Sequence, residues 1–179
     1  MLRTLRLGVV IAAFALLATS VGAADVGGTS KFITDRIAVS GAVEHPLVLG
    51  VDDLKKFPSR VNEVTLGRRS AGNAGKVARL GGVLLRDIIE KAAVISRDHN
   101  DTKKMAIIAI ASDGYKVVFS WSEIFNSPAG DGVIVYFEKD GAPLADDEGQ
   151  IAMISTTDIR TGPRHVKWLQ AIEVRKIAD

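Results

Sequence analysis

The stretch MAIIAIASDGYKVVFS, residues 105–120, decides the fold. Its first part, Met105 to Ala111, is a continuous apolar run of the kind that a buried strand requires. Asp113-Gly114 is a turn signal, and Tyr115 to Ser120 (YKVVFS) alternates as a returning strand. Asp113 itself reads first as a turn residue, because its short carboxylate can bond the backbone two residues on.

Working towards the N-terminus, Ser96 to Lys104 is a polar connection. Before it, Val83 to Val94 reads as the main helix, with Leu85, Ile88, Ile89 and Ala92 on one face. Arg86 with Glu90 and Asp87 with Lys91 have the spacing of i,i+4 ion pairs on the other face. Gly67 to Gly82 reads as a long loop carrying five glycines, Arg68, Arg69, Lys76 and Arg79, and no acid. Asn62 to Leu66 alternates as a strand. Val51 to Phe57 reads as a short helix, with Asp52 and Asp53 at its start, Lys55 and Lys56 at its end, and Pro58 as its stop. Arg36 to Gly41 and Pro46 to Leu49 are extended. Residues 24–35 read as a loose terminus.

Towards the C-terminus, Trp121 to Phe125 reads as a helical turn, and Gly132 to Glu138 as a strand closed by Lys139-Asp140-Gly141. Ile151 to Ser155 and Lys167 to Ile177 complete the strand set. Several strands and one substantial helix predict an α+β fold with a mixed β-sheet, occupying residues 36–177 as a single domain.

Residues 1–23 have the pattern of a cleaved signal peptide. Arg3 and Arg6 lead, an apolar run of about 11 residues extends from Leu7 to Leu17, and Val21-Gly22-Ala23 supplies small residues before Ala24. The run is well short of the roughly 20 residues that span a bilayer. This predicts a periplasmic or secreted protein. The chain carries 23 basic and 21 acidic residues, a formal charge of +2. Loss of Arg3 and Arg6 leaves 21 of each and a charge of zero. No basic excess remains for nucleic acid. There is no cysteine. Disulfides, thiolate metal sites and cysteine nucleophiles are therefore excluded.

Few residues announce chemistry. His45, His99 and His165 lack metal-ligand spacing and read as surface or structural residues. No G-x-S-x-G elbow is present, and Gly75-Lys76 is not part of a phosphate-binding loop of the Walker type. The Gly67 to Gly82 segment is balanced between a solvated loop and an anion cradle. Asp140, Asp146, Asp147 and Glu148 fail the calcium-loop spacing and read as a solvated turn. Arg164 and Lys167 stand three apart at the start of a strand. They suit a phosphate by fork and point charge, and equally suit a plain surface pair.

The order of these pieces resembles the sulfite oxidase-type molybdopterin-binding domain. Val39 to Pro46, Val51-Asp52-Asp53-Leu54 and Phe57-Pro58 are similar to that family's opening. Gly81 to Ile89 is similar to its G-V-x-L-x-D-L-L helix entry, Asp113-Gly114-Tyr115 to its D-G-Y turn, and Asp140 to Leu144 to its N/D-G-x-P-L. Arg164 to Leu169 resembles R-x-V-K-W-L, and Ile172-Glu173-Val174 the closing strand. The resemblance implies a pyranopterin cofactor carrying molybdenum, with Arg164 and Lys167 near its phosphate and Asp113 and Tyr115 near the pocket. Arg68 and Arg69 stand where the family has its metal-ligating cysteine, in Thr65-Leu66-Gly67-Arg68-Arg69. No sulfur donor is present. Arg3 and Arg6 are not adjacent, so the leader lacks the twin-arginine signature that exports folded, cofactor-loaded cargo. The expectation is therefore a non-catalytic binding or interaction module without molybdenum. Molybdopterin binding stays open, and the partner is a small anionic or heterocyclic ligand, a protein or a membrane protein. The alternative is an active molybdopterin oxidoreductase whose metal takes no protein thiolate.

Overall fold

The computed structural model describes residues 30–66 and 75–178. Strands β1 (Arg36–Gly41), β2 (Leu47–Gly50), β5 (Met105–Ala111), β6 (Lys116–Ser120) and β11 (Leu169–Lys176) form one sheet, ordered β2-β1-β11-β5-β6. Its β1–β11 pair is parallel and the others are antiparallel, so this sheet is mixed. A second, antiparallel sheet is ordered β10-β9-β7-β4-β3, with β8 (Ala142–Pro143) added to β7. It comprises β3 (Arg60–Leu66), β4 (Lys76–Leu84), β7 (Val133–Lys139), β9 (Ala152–Ser155) and β10 (His165–Val166). The helices are α1 (Val51–Leu54), α2 (Leu85–Ala92) and α3 (Trp121–Phe125). The α+β class follows from the sequence as expected, but the strands divide into two sheets.

One core joins the sheets. Ile37, Val39, Ile107, Ala109, Ile172 and Val174 of the first meet Val133, Val135, Phe137 and Met153 of the second, with Leu85, Ile88, Ile89 and Ala92 of α2. Strand β7 is buried on both faces. Its alternate residues Ile134 and Tyr136 enter a smaller cluster with Val64, Leu80, Leu84 and Ile154. Period-two alternation thus feeds two apolar environments from one strand.

Several sequence expectations change. The segment read as a loop to Gly82 is strand β4 from Lys76 onward, with Ala78 and Leu80 buried between outward Val77 and Arg79. Its glycines serve close approach rather than flexibility. A bulge lies between Gly81 and Gly82 opposite β7, and a Cβ on Gly82 would sit 2.2 Å from the Val135 carbonyl oxygen. Helix α2 accordingly begins at Leu85 rather than Val83. The expected pairs on its outer face do not form. Arg86 binds Asp131 instead, and Lys91 makes no ion pair among the described residues. Arg86 turns to Asp131 because the 3-10 turn Pro128–Gly132 brings that carboxylate beside α2. The short helix after Gly50 stops at Leu54, followed by a turn into Phe57.

Residues 30–35, the described part of the stretch read as loose, are tied down. The Phe32 ring lies 5.7 Å from Trp168, Thr34 donates to the Leu169 carbonyl at 2.8 Å, and Ser112 donates to the Phe32 carbonyl. The expected signal peptide, 1–23, lies outside the described residues. Among those described, no helix is long and apolar enough to cross a membrane.

A Gly82→Ala substitution forces the β4 and β7 backbones apart and is expected to lower stability by ~1–3 kcal/mol. Gly162→Ala, where a Cβ meets nothing within 4 Å, is expected to change it by less than ~0.5 kcal/mol. Urea denaturation midpoints of the two variants check the contrast.

Candidate functional site

A 3-10 turn, Gly162–Arg164, carries the arginine singled out from the sequence. Its guanidinium is half-buried, and each of its three nitrogens donates a hydrogen bond. Nε donates to Asp158 Oδ2 at 2.7 Å, one terminal nitrogen donates to the other oxygen of Asp158, and the second terminal nitrogen donates to Glu123. The planar group also lies over the Phe119 ring, 4.8 Å from its centroid. Both acids are held in place. Glu123 sits in the first turn of α3, where its backbone N–H donates to the Ser120 side chain, which caps the helix. Asp158 accepts from the Ser155 hydroxyl at 2.8 Å. The Arg164 hydrogen bond holds the Asp158 carboxyl below the usual range, and the two acids push the arginine higher still. Two carboxylates for one guanidinium leave this spot with a net negative charge.

The other predicted residues cluster unevenly around it. Tyr115 is exposed, and its hydroxyl donates to the Pro163 carbonyl at 2.8 Å, which ties the hairpin turn to the Arg164 segment. Asp113 accepts from the Tyr115 backbone N–H at 2.9 Å, the turn role expected of it. Lys167 pairs with Asp147 at 3.2 Å near the surface. The structure therefore brings Asp113, Tyr115 and Arg164 to one region and turns Lys167 to an acidic partner of its own. Arg68 and Arg69 lie outside the described residues.

Sequence reasoning missed a second polar centre. Glu148, read as part of a solvated turn, is 4% exposed. It accepts from the Tyr136 hydroxyl at 2.8 Å and from the Lys139 ammonium. The Tyr136 oxygen also lies 2.7 Å from His165 Nε2. Donor counting sets the tautomer. Tyr136 spends its one proton on Glu148, so the contact with His165 requires the imidazole to donate from Nε2. Burial pushes the Tyr136 hydroxyl up and His165 down. One signal was present in the sequence: a tyrosine amid GVIVYFE puts a hydroxyl in an otherwise apolar strand, and such a group needs a partner. Nothing in the sequence said which partner.

The family model for the oxidoreductase molybdopterin binding domain matches residues 29–178. The chain belongs to this family. Among solved structures, the domain is similar to the crystal structure of the sulfane dehydrogenase SoxCD from Paracoccus pantotrophus. The identity is 19%, the TM-score is 0.61, and the match covers 79% of this chain and 38% of the other. The domain thus spans well under half of that longer chain. No curated protein sequence matches it.

The residues present do not fit a thiolate-held molybdenum. The chain has no cysteine. Among the described residues no group of three or more histidines and acids could hold a metal ion. The arginine that would meet a cofactor phosphate is already neutralised by Asp158 and Glu123.

Two stability measurements follow. Arg164→Ala strands two partly buried carboxylates and is expected to cost roughly 2–4 kcal/mol in protein without ligand. Adding Asp158→Asn should recover part of that loss, as a double-mutant cycle would measure. His165 has a folded pKa depressed below its ordinary 6.5. Its contribution to stability is therefore present above that value and lost as pH falls through the folded pKa. Denaturation curves taken stepwise below pH 6.5 should show this loss, and His165→Gln should flatten it. The Asp158 contribution has the same sign. It appears only lower, as pH falls below that group's ordinary 3.8.

Proposed function

We propose that this domain is a non-catalytic binding or interaction module built on the molybdopterin-binding fold. The single observation that carries the reading is the missing sulfur donor. A polypeptide with no cysteine has no thiolate to anchor a molybdenum centre, and arginines stand where the family places that ligand. The state of Arg164 supports it. Its nitrogens already donate to Asp158 and Glu123, so an incoming phosphate must displace charged partners. The sequence features at residues 1–23 support export by the general route, as an unfolded chain, to the periplasm or beyond. In that compartment the module binds a small anionic or heterocyclic ligand, or a protein or membrane-protein partner.

Family membership favours one rival: an oxidoreductase whose metal is held by the pterin and by oxygen ligands alone. Protein purified from its own compartment discriminates between them by elemental analysis and absorption spectroscopy. The proposed reading expects far less than one molybdenum per chain and no pterin absorption. One tightly held molybdenum per chain, changing oxidation state on reduction, overturns it. N-terminal sequencing of the same material should begin at Ala24.

A further inference from the structure

One groove shares no lining residue with the Arg164 cluster or the Glu148 network. It lies beside the short helix α1 and the end of α2, has a volume of about 320 Å³, and is lined by Leu49, Asp53, Lys56, Phe57, Pro58 and Lys91. That volume falls in the range of small-molecule sites, roughly 300–1,000 Å³. Its lining divides by chemistry. Leu49, Phe57 and Pro58 supply an apolar floor, with Phe57 half-buried and packed against the main core. The charged residues sit around that floor with a cation excess of one.

The charges are not equivalent. Asp53 is occupied: one oxygen accepts from the Gly50 backbone N–H at 3.2 Å, and the other accepts from Lys56 at 2.8 Å. That pairing holds the Asp53 carboxyl below its ordinary range and serves the start of α1. Lys91 is different. It is exposed at the last turn of α2, and it makes no ion pair with Asp87, Glu90 or any other described residue. A cation at the rim of an apolar floor, with no ion pair among the described residues, suits a ligand with an anionic head and a hydrophobic body.

We propose that this groove is a binding site for small organic carboxylates or sulfonates that carry an aromatic or short aliphatic body. The body lies on Phe57 and Pro58, and the head pairs with Lys91, while Lys56 stays paired with Asp53. The inference does not depend on whether the domain is catalytic, since none of these residues belongs to the Arg164 cluster.

Sodium phenylacetate is the probe, with uncharged phenylacetamide as its isostere. An amide-resolved NMR titration of the full folded chain is expected to show saturable shifts at Leu49, Phe57 and Lys91 with phenylacetate. Phenylacetamide should bind at least about twofold more weakly, and Lys91→Gln should weaken phenylacetate binding about two- to fivefold, the range for an exposed charge pair. Lys91→Gln alters an exposed side chain and leaves the fold intact, so its result is readable even if Phe57→Ala destabilises the core. Lys116→Gln, on the distant strand β6, should leave the affinity unchanged. The proposal is overturned by the absence of saturable shifts at these residues up to millimolar probe, by equal binding of the amide, or by an unchanged affinity in Lys91→Gln. A positive titration with molybdenum also present would sink the non-catalytic reading and leave the groove standing.

Discussion

The structure depends first on the parallel pairing of β1 with β11, the earliest and latest strands among the described residues. Parallel neighbours cannot be joined by a tight turn, and here all the other strands of both sheets lie between the two in sequence. The fit is close. Gly41 has a positive φ of 94°, and a Cβ there would lie 2.1 Å from the Val174 carbonyl oxygen. Ala42 then donates to that same carbonyl at 2.7 Å. A glycine at this crossing is a steric requirement, because only glycine combines that φ with so close a backbone approach.

Closure of the first sheet positions the segment that leads into β11. Residues 162–168 sit between the hairpin turn at Asp113 and the loop carrying Asp158, and Arg164 knits these together with α3. A guanidinium has donors in a rigid plane, and burial makes each unsatisfied donor costly. This chain answers that demand with its own acids. The same fold in a cofactor-binding protein could answer it with an external anion. Whether an arginine is a receptor or a brace depends on which acceptors the neighbouring loops carry, here Glu123 and Asp158.

The Tyr136 network makes the same point inside the second sheet. Strand β7 is buried on both faces, so a polar atom on it has no access to water. Glu148 and His165 come from two other segments to satisfy one hydroxyl, and Lys139 of β7 itself donates to Glu148. The arrangement has the residue types of an acid/base site, and here the Tyr136 proton is committed to Glu148. Family membership fixes the scaffold in such a case and leaves function to the particular side chains at the site.

Local physics made much of this domain legible from the sequence. The apolar run at residues 105–111, the turn at Asp113-Gly114 and the periodic face of Leu85, Ile88, Ile89 and Ala92 each depend on neighbours within a few residues, and each is found in the structure. The absence of cysteine needs no structure at all. Tertiary contact decided the rest. Gly81 and Gly82 read as loop residues because their permissiveness is visible in one dimension, while the close β7 backbone that requires them is not. Glu148 read as solvated because its side-chain partners, Lys139 and Tyr136, lie 9 and 12 residues away on strand β7. Charge pairing across such distances follows from packing, and spacing along the chain carries no trace of it.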